Sequence, residues 1–169
     1  MGQKQSQQEK DQALIKAVTN GKIEEVRTLL KNGANPSFEI DGRSSLHWAC
    51  YQRVNQDVLI ELLLRSGADK DKYDSFGRTP LMIACITSNV CALRVLIKSG
   101  ADLNARENRP ESKRTALFIA MDFDKQQDCV CELMNAVADQ KDELNNCFIS
   151  ASEHGLVGSQ STLCAHPIE

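Results

Sequence analysis

The feature that most constrains this chain is repetition. Four stretches resemble one another: NGKIEEVRTLLKNGAN (20–35), DVLIELLLRSGAD (57–69), SNVCALRVLIKSGAD (88–102) and, more distantly, DCVCELMNAVAD (128–139). The first three end on two large apolar residues, two spacers and Gly-Ala-Asn or Gly-Ala-Asp. A second block precedes the last three: GRSSLHWAC (42–50), GRTPLMIAC (77–85) and KRTALFIAM (113–121). Within it Leu46, Leu81 and Leu117 recur at intervals of 35 and 36 residues. A unit of that size cannot bury its apolar face alone, so the chain must fold as an array in which each unit covers the next.

Local chemistry divides each unit into two helices and a turn. In the third unit Thr79 can cap a helix through its hydroxyl, and Pro80 fits the first helical position, where a missing N–H costs nothing. Leu81, Ala84, Leu93, Leu96 and Ile97 follow at helical spacing and give each helix an apolar stripe. Gly100 stands where a left-handed C-cap is wanted. These residues closely resemble the ankyrin repeat, whose unit pairs a β-hairpin finger with two antiparallel helices.

The resemblance implies an all-α fold with short β-hairpin fingers, a solenoid of about four repeats (9–41, 42–76, 77–111 and 112–139) plus a partial fifth. Residues 1–8 read as a flexible segment, 140–155 as the partial fifth repeat or a capping helix, and 156–169 as a disordered tail. EKDQALIKAV is polar on its outer side, as a terminal repeat requires. Two extra residues near RVNQD should lengthen the bend of repeat two. In repeat four Val137 replaces the usual Gly; a β-branched residue resists positive φ, so its second helix must end differently. The array stops mid-repeat, which suggests a shortened form of a longer protein; finding no longer open reading frame among full-length transcripts would count against this.

Composition narrows the function. The 169 residues are 41% hydrophobic and 25% charged, those of an ordinary domain with a real core. No run of apolar residues is long enough to span a bilayer, and no secretory h-region is present, so a cytoplasmic location is expected. Seven scattered cysteines fit free thiols in a reducing compartment. Residues 135–169 hold five acids against one Lys, which leaves the remainder at about +1. No basic stripe is present, so no nucleic acid partner is expected.

Catalysis has little to work with. No phosphate loop, dinucleotide fingerprint or recognisable carboxylate pair occurs, and Cys164 with His166 lies in the tail. Cys129 and Cys131 with His154 or His166 match no familiar zinc spacing. No catalytic residue, metal or cofactor is expected. Cys50 and Cys85 suit compact buried positions. The resemblance gives His47 a structural role, bonding neighbouring backbone.

Binding remains, and the resemblance places it on the concave side, formed by hairpin tips and the inner faces of the first helices. The positions are Trp48, Tyr51 and Gln52 in repeat two, Ile83, Ile86 and Thr87 in repeat three, and Ile119, Asp122 and Phe123 in repeat four. Trp48 and Ile83 could equally serve the core. Tyr73 and Phe76 sit on one finger. The next, ARENRPESKR (105–114), is longer and presents Arg106 and Arg109, whose forks could read an acidic partner segment or the chain's own acidic tail, or simply be solvated. One or more protein partners are thus expected on this face.

The opening, MGQKQS, fits an N-myristoylation signal with Gly2 as acceptor. One myristoyl chain binds bilayers with K of only about 10⁴ per molar, and Lys4 and Lys10 are offset by Glu9 and Asp11. Such a lipid would give weak, reversible contact with the cytoplasmic face of a membrane, completed by the captured partner. The alternative is a soluble ankyrin-type inhibitor or sequestering subunit that needs no lipid. A shortened relative of a myristoylated ankyrin ubiquitin ligase is a third reading; no RING cysteines are present.

Overall fold

The structure, a computed structural model, describes residues 6–52, 56–122 and 127–139. The expectations for Gly2, Phe123, the partial fifth repeat and the tail lie outside these residues. Among the described residues eight helices follow in pairs: α1 (Gln7–Thr19) with α2 (Ile23–Lys31), α3 (Ser45–Tyr51) with α4 (Gln56–Arg65), α5 (Pro80–Ile86) with α6 (Val90–Lys98), and α7 (Ala116–Met121) with α8 (Gln127–Asp139). A two-stranded hairpin, β1 (Glu39–Ile40) and β2 (Arg43–Ser44), joins the first pair to the second. The first helices of the pairs pack in sequence as one layer, and the second helices as another. This is the all-α solenoid with short fingers that the repeats imply.

Helices α1, α5, α6 and α7 each start on a side chain that accepts from an open N–H group, whereas Lys22 before α2 makes no such bond. Thr79 accepts from Met82 N–H at 3.4 Å, Thr115 from Phe118 N–H at 3.3 Å and Asn89 from Ala92 N–H at 3.0 Å. At α1 the cap is a reciprocal box: Ser6 Oγ accepts from Glu9 N–H at 3.3 Å, and Glu9 Oε2 accepts from Ser6 N–H at 3.1 Å. This corrects the N-terminal boundary, because Gln7 and Gln8, expected to be flexible, form the first turn of α1. Gln7 Nε2 also donates to Gly33 O at 2.9 Å, which ties this turn to the end of α2.

The helix stripes meet between the two layers. Leu14, Val18, Leu46, Leu59, Leu63, Leu81, Leu93, Leu96, Ile119 and Leu133 are sealed from solvent and form one continuous core. Gly33, Gly67 and Gly100 follow the second helices at φ of 82, 87 and 73°. At the fourth, Val137 cannot take that conformation cheaply, and the helix runs on: α8 has 13 residues against 9 in α6, and Val137 joins the core.

A polar relay along the loops sets the register in which the repeats stack. After each Gly-Ala pair, the Asn or Asp accepts from the backbone N–H two residues on: Asn35 from Ser37 at 2.9 Å, Asp69 from Asp71 at 3.1 Å, Asp102 from Asn104 at 2.9 Å. The side chain two residues on then accepts the N–H of the next repeat's Asp: Ser37 from Asp69 at 3.1 Å, Asp71 from Asp102 at 2.8 Å. The relay begins at buried Asp11 on α1, which accepts from Asn35 N–H at 2.6 Å.

A second set of bonds links the finger tips. Ser75 N–H donates to Gly42 O and Asn108 N–H to Gly77 O, both at 2.8 Å. The backbones approach so closely that a Cβ on Gly77 would lie 2.6 Å from Asn108 O, whereas one on Gly33 would meet nothing within 4 Å. Both glycines have positive φ. Gly33→Ala should therefore cost about 1 kcal/mol for backbone strain alone, and Gly77→Ala about 3 kcal/mol, because the tips must also separate. Urea unfolding midpoints of the two variants check this; equal losses would mean that tip contact contributes nothing.

Candidate functional site

The first finger turns through Asp41 and Gly42, both at positive φ (54 and 68°), the pair that a type I′ hairpin turn requires. The second finger is shaped by one buried carboxylate. Asp74 Oδ1 accepts from the N–H groups of Phe76 at 2.9 Å and Arg78 at 2.8 Å, while its Oδ2 takes Nε and Nη2 of Arg78 at 3.1 and 2.8 Å. That loop leaves Phe76 44% and Tyr73 40% exposed. Arg78 lies over the Phe76 ring at 4.7 Å.

Neighbouring fingers complete the cluster. Arg43 on β2 is 5.3 Å from the Phe76 ring and 5.2 Å from the rings of both Trp48 and Tyr51 on α3. Those two rings stand 6.2 Å apart at 49°. From the third finger Arg109 reaches back, its Nε donating to Phe76 O at 2.6 Å and its guanidinium 5.6 Å from the ring. Cation–π contacts at exposed sites contribute about 0.5–1 kcal/mol each, so this cluster holds three fingers and α3 in one arrangement.

His47 lies beneath it. Buried on α3, its Nδ1 accepts from Ser44 N–H at 3.2 Å and its Nε2–H donates to Arg78 O at 3.0 Å, the backbone role that the resemblance implies. Burial pushes its pKa below the ordinary value, more strongly than the Arg78 carbonyl raises it. On the third finger, burial alone would raise the Glu107 carboxyl, but hydrogen bonds from Arg114 and Ser112 prevail and hold it below the usual carboxylate range. Arg114 also meets Asp122 at 3.0 Å.

The expected binding residues separate into groups. Trp48, Tyr51 and Gln52 are half-buried at the cluster's edge, and Tyr73 and Phe76 are exposed. Ile83 and Ile119, 0% and 1% exposed, must be withdrawn: α5 and α7 are packed by neighbouring repeats, so these side chains belong to the core. Ile86 is half-buried against that core. Thr87 is a correction of role, since its hydroxyl donates to Cys50 O at 3.1 Å and Ile83 O at 2.9 Å, tying the bends of repeats two and three together. Asp122 is exposed but paired with Arg114, and exposed Arg106 reaches Lys113 O at 3.5 Å.

Two cluster members, Arg43 and Arg78, were not expected. The signal was present in GRSSL, GRTPL and KRTAL, which place Arg43, Arg78 and Arg114 at one repeat position. Cys50 and Cys85 are buried, and burial raises both thiols. Free thiols are found at Cys50, Cys85, Cys91 and Cys129, but the expectation fails at Cys131, which is disulfide-bonded.

Among the described residues no group of three His, Cys, Asp or Glu could hold a metal ion, and no helix is long and apolar enough to cross a membrane. The sequence model for ankyrin repeats (3 copies) matches residues 1–74 and 53–144. The chain belongs to the ankyrin-repeat family, whose repeats are protein-interaction modules and are generally not themselves catalytic. It is similar to the E3 ubiquitin-protein ligase KEG of Arabidopsis thaliana, 35% identical over 127 residues, which are 75% of this chain and 7% of that protein. It is also similar to inversin of Gallus gallus (36% over 87 residues, 52% of this chain and 8% of inversin) and to the 2-5A-dependent ribonuclease of Homo sapiens (38% over 84 residues, 48% and 11%). The chain spans about a tenth or less of each relative's length. The activities in those names are stated of those proteins.

The lowered His47 pKa gives a pH test with a definite sign. The unfolded chain takes up a proton near pH 6.5 and the folded chain only at lower pH, so stability is complete above about 6.5 and is lost as pH falls below it. Urea midpoints between pH 8 and 5 should show this decline, and His47→Gln should flatten it. A decline of the same steepness in the variant would assign it to other groups.

Proposed function

We propose that this chain is a non-enzymatic capture module for a partner protein, and that the finger-side cluster around Phe76 is its docking face. The observation that carries the reading is an exposed aromatic pair, Phe76 and Tyr73, beside Trp48 and Tyr51 and braced by Arg43. Aromatic and arginine side chains held rigidly at a surface are the residues that dominate binding energy at interfaces. Val58 on α4, 41% exposed, is an isolated apolar residue on the other helix layer and serves as the control. With the full chain as bait, proteins captured by wild type should be lost to Phe76→Ala, at a cost of about 2 kcal/mol or roughly thirtyfold in affinity, and retained by Val58→Ala. Quantitative mass spectrometry of the captured proteins reads this; equal capture by both variants would remove the face from consideration.

The reading extends to the membrane through Gly2, whose acylation would add weak, reversible attachment while the repeats hold the partner. One observation favours the lipid-free alternative, a soluble sequestering subunit. Ser6, which completes the acylation pattern, has a structural task of its own as the cap of α1. Intact mass of the protein made in eukaryotic cells decides between them. Acylation should add a myristoyl group that Gly2→Ala abolishes, together with the membrane-bound fraction; an unmodified wild-type N-terminus would leave the soluble reading.

A further inference from the structure

The docking face has a chemistry of its own. Three guanidinium groups, of Arg43, Arg78 and Arg109, lie 5.3, 4.7 and 5.6 Å from one phenylalanine ring. Like charges gathered this closely repel one another unless a counter-charge stands among them. Asp74 supplies one and is engaged by Arg78 at 2.8 Å. Glu107, the nearby carboxylate of the third finger, is engaged by Arg114 at 3.0 Å and by Ser112. Among the described residues neither Arg43 nor Arg109 has a carboxylate in ion-pair contact.

The face is also short of acceptors. Arg43 Nε and Trp48 Nε1 are buried donors with no hydrogen-bond partner among the described residues. Each such donor costs about 1–3 kcal/mol. Two guanidinium groups with no carboxylate in ion-pair contact and two exposed rings thus meet at one place, which a group bearing negative oxygens beside an aromatic ring would complement.

We infer that this face selects a peptide segment of a partner protein in which a carboxylate adjoins an aromatic side chain. The carboxylate meets the forks of Arg43 and Arg109, and the partner's ring packs against Phe76 and Tyr73. This rests on the docking reading above and adds the partner's chemistry. A nucleic acid is disfavoured because the same fingers carry Asp41, Asp69, Asp71 and Asp102, which would repel a run of phosphates, whereas a peptide can bring one carboxylate to one place.

Trp48 is the chain's one tryptophan and lies 5.2 Å from the Arg43 guanidinium, so its emission reports on this face. The full chain would be titrated with three synthetic peptides having identical Gly-Ser flanks and Glu-Glu-Phe, Lys-Lys-Phe or Glu-Glu-Ser at the centre. Glu-Glu-Phe should change the emission saturably, and the other two should bind at least about tenfold more weakly. Arg43→Gln and Arg109→Gln should each weaken Glu-Glu-Phe binding about tenfold, while Arg27→Gln on α2 leaves it unchanged. Far-UV circular dichroism like that of wild type, and a cooperative urea transition that begins well above the assay conditions, establish that these variants are folded.

Equal binding of Glu-Glu-Phe and Lys-Lys-Phe would overturn the charge selection but leave the docking face standing, provided that Phe76→Ala still loses its captured proteins. No response to any of the peptides would overturn the inference. A saturable response to a single-stranded 12-mer oligonucleotide that Arg43→Gln abolishes would overturn it in favour of nucleic acid.

Discussion

The backbone amide that follows each Gly-Ala pair finds a side-chain acceptor one step back along the array. Asp69 donates to Ser37 and Asp102 to Asp71, each across a repeat boundary, while Asn35 donates to Asp11 within the first repeat, so the loops leaving repeats two and three are held by side chains of their predecessors. A neutral hydrogen bond contributes only about 1 kcal/mol net, but these bonds recur at the same place in successive loops and each needs its partner in one position, so together they oppose slippage. The apolar stripes supply most of the driving force for stacking, but they are nearly alike from repeat to repeat and could accept more than one register. The relay accepts one. It therefore determines which side chains of adjacent fingers face each other, and the finger-side cluster follows from that.

Arg78 shows how the scaffold and the face share parts. Its carbonyl receives the Nε2–H of His47 from the preceding repeat, its amide and guanidinium bind Asp74, and its charge lies on Phe76. Arg109 and Arg43 approach the same ring from the fingers on either side. A partner would meet rings whose positions are already fixed, so little ordering entropy remains to be lost on binding.

Much of the fold was legible in the sequence because the repeats state it three times. The recurring Leu46, Leu81 and Leu117, the cap at Thr79 and the departure at Val137 each followed from local chemistry, and the structure places each accordingly. The face was less legible. Whether Ile83 and Ile119 point outward depends on how closely neighbouring first helices approach, a tertiary quantity that helical spacing does not contain. Thr87 read as surface because its acceptor, Cys50 O, is 37 residues away. Arg43 and Arg78 were hidden in the repeat signature itself, where a recurring Gly-Arg resembled scaffold. Ser6 illustrates the converse: one residue satisfied an acylation pattern and a helix cap at once, and sequence alone offers no means of separating them.

Amide hydrogen exchange followed by NMR tests most directly whether inter-repeat backbone bonds fix the fingers. The N–H groups of Asp69, Ser75, Asp102 and Asn108 lie in loops where exchange is ordinarily fast, yet each donates to the preceding loop or finger at 2.8–3.1 Å. They should be protected to nearly the same degree as the core helices, and Ser37→Ala should release Asp69 more than the others. Exchange of all four at the rate of open loop amides would show that the fingers move independently, and the docking face would then have no fixed form to recognise.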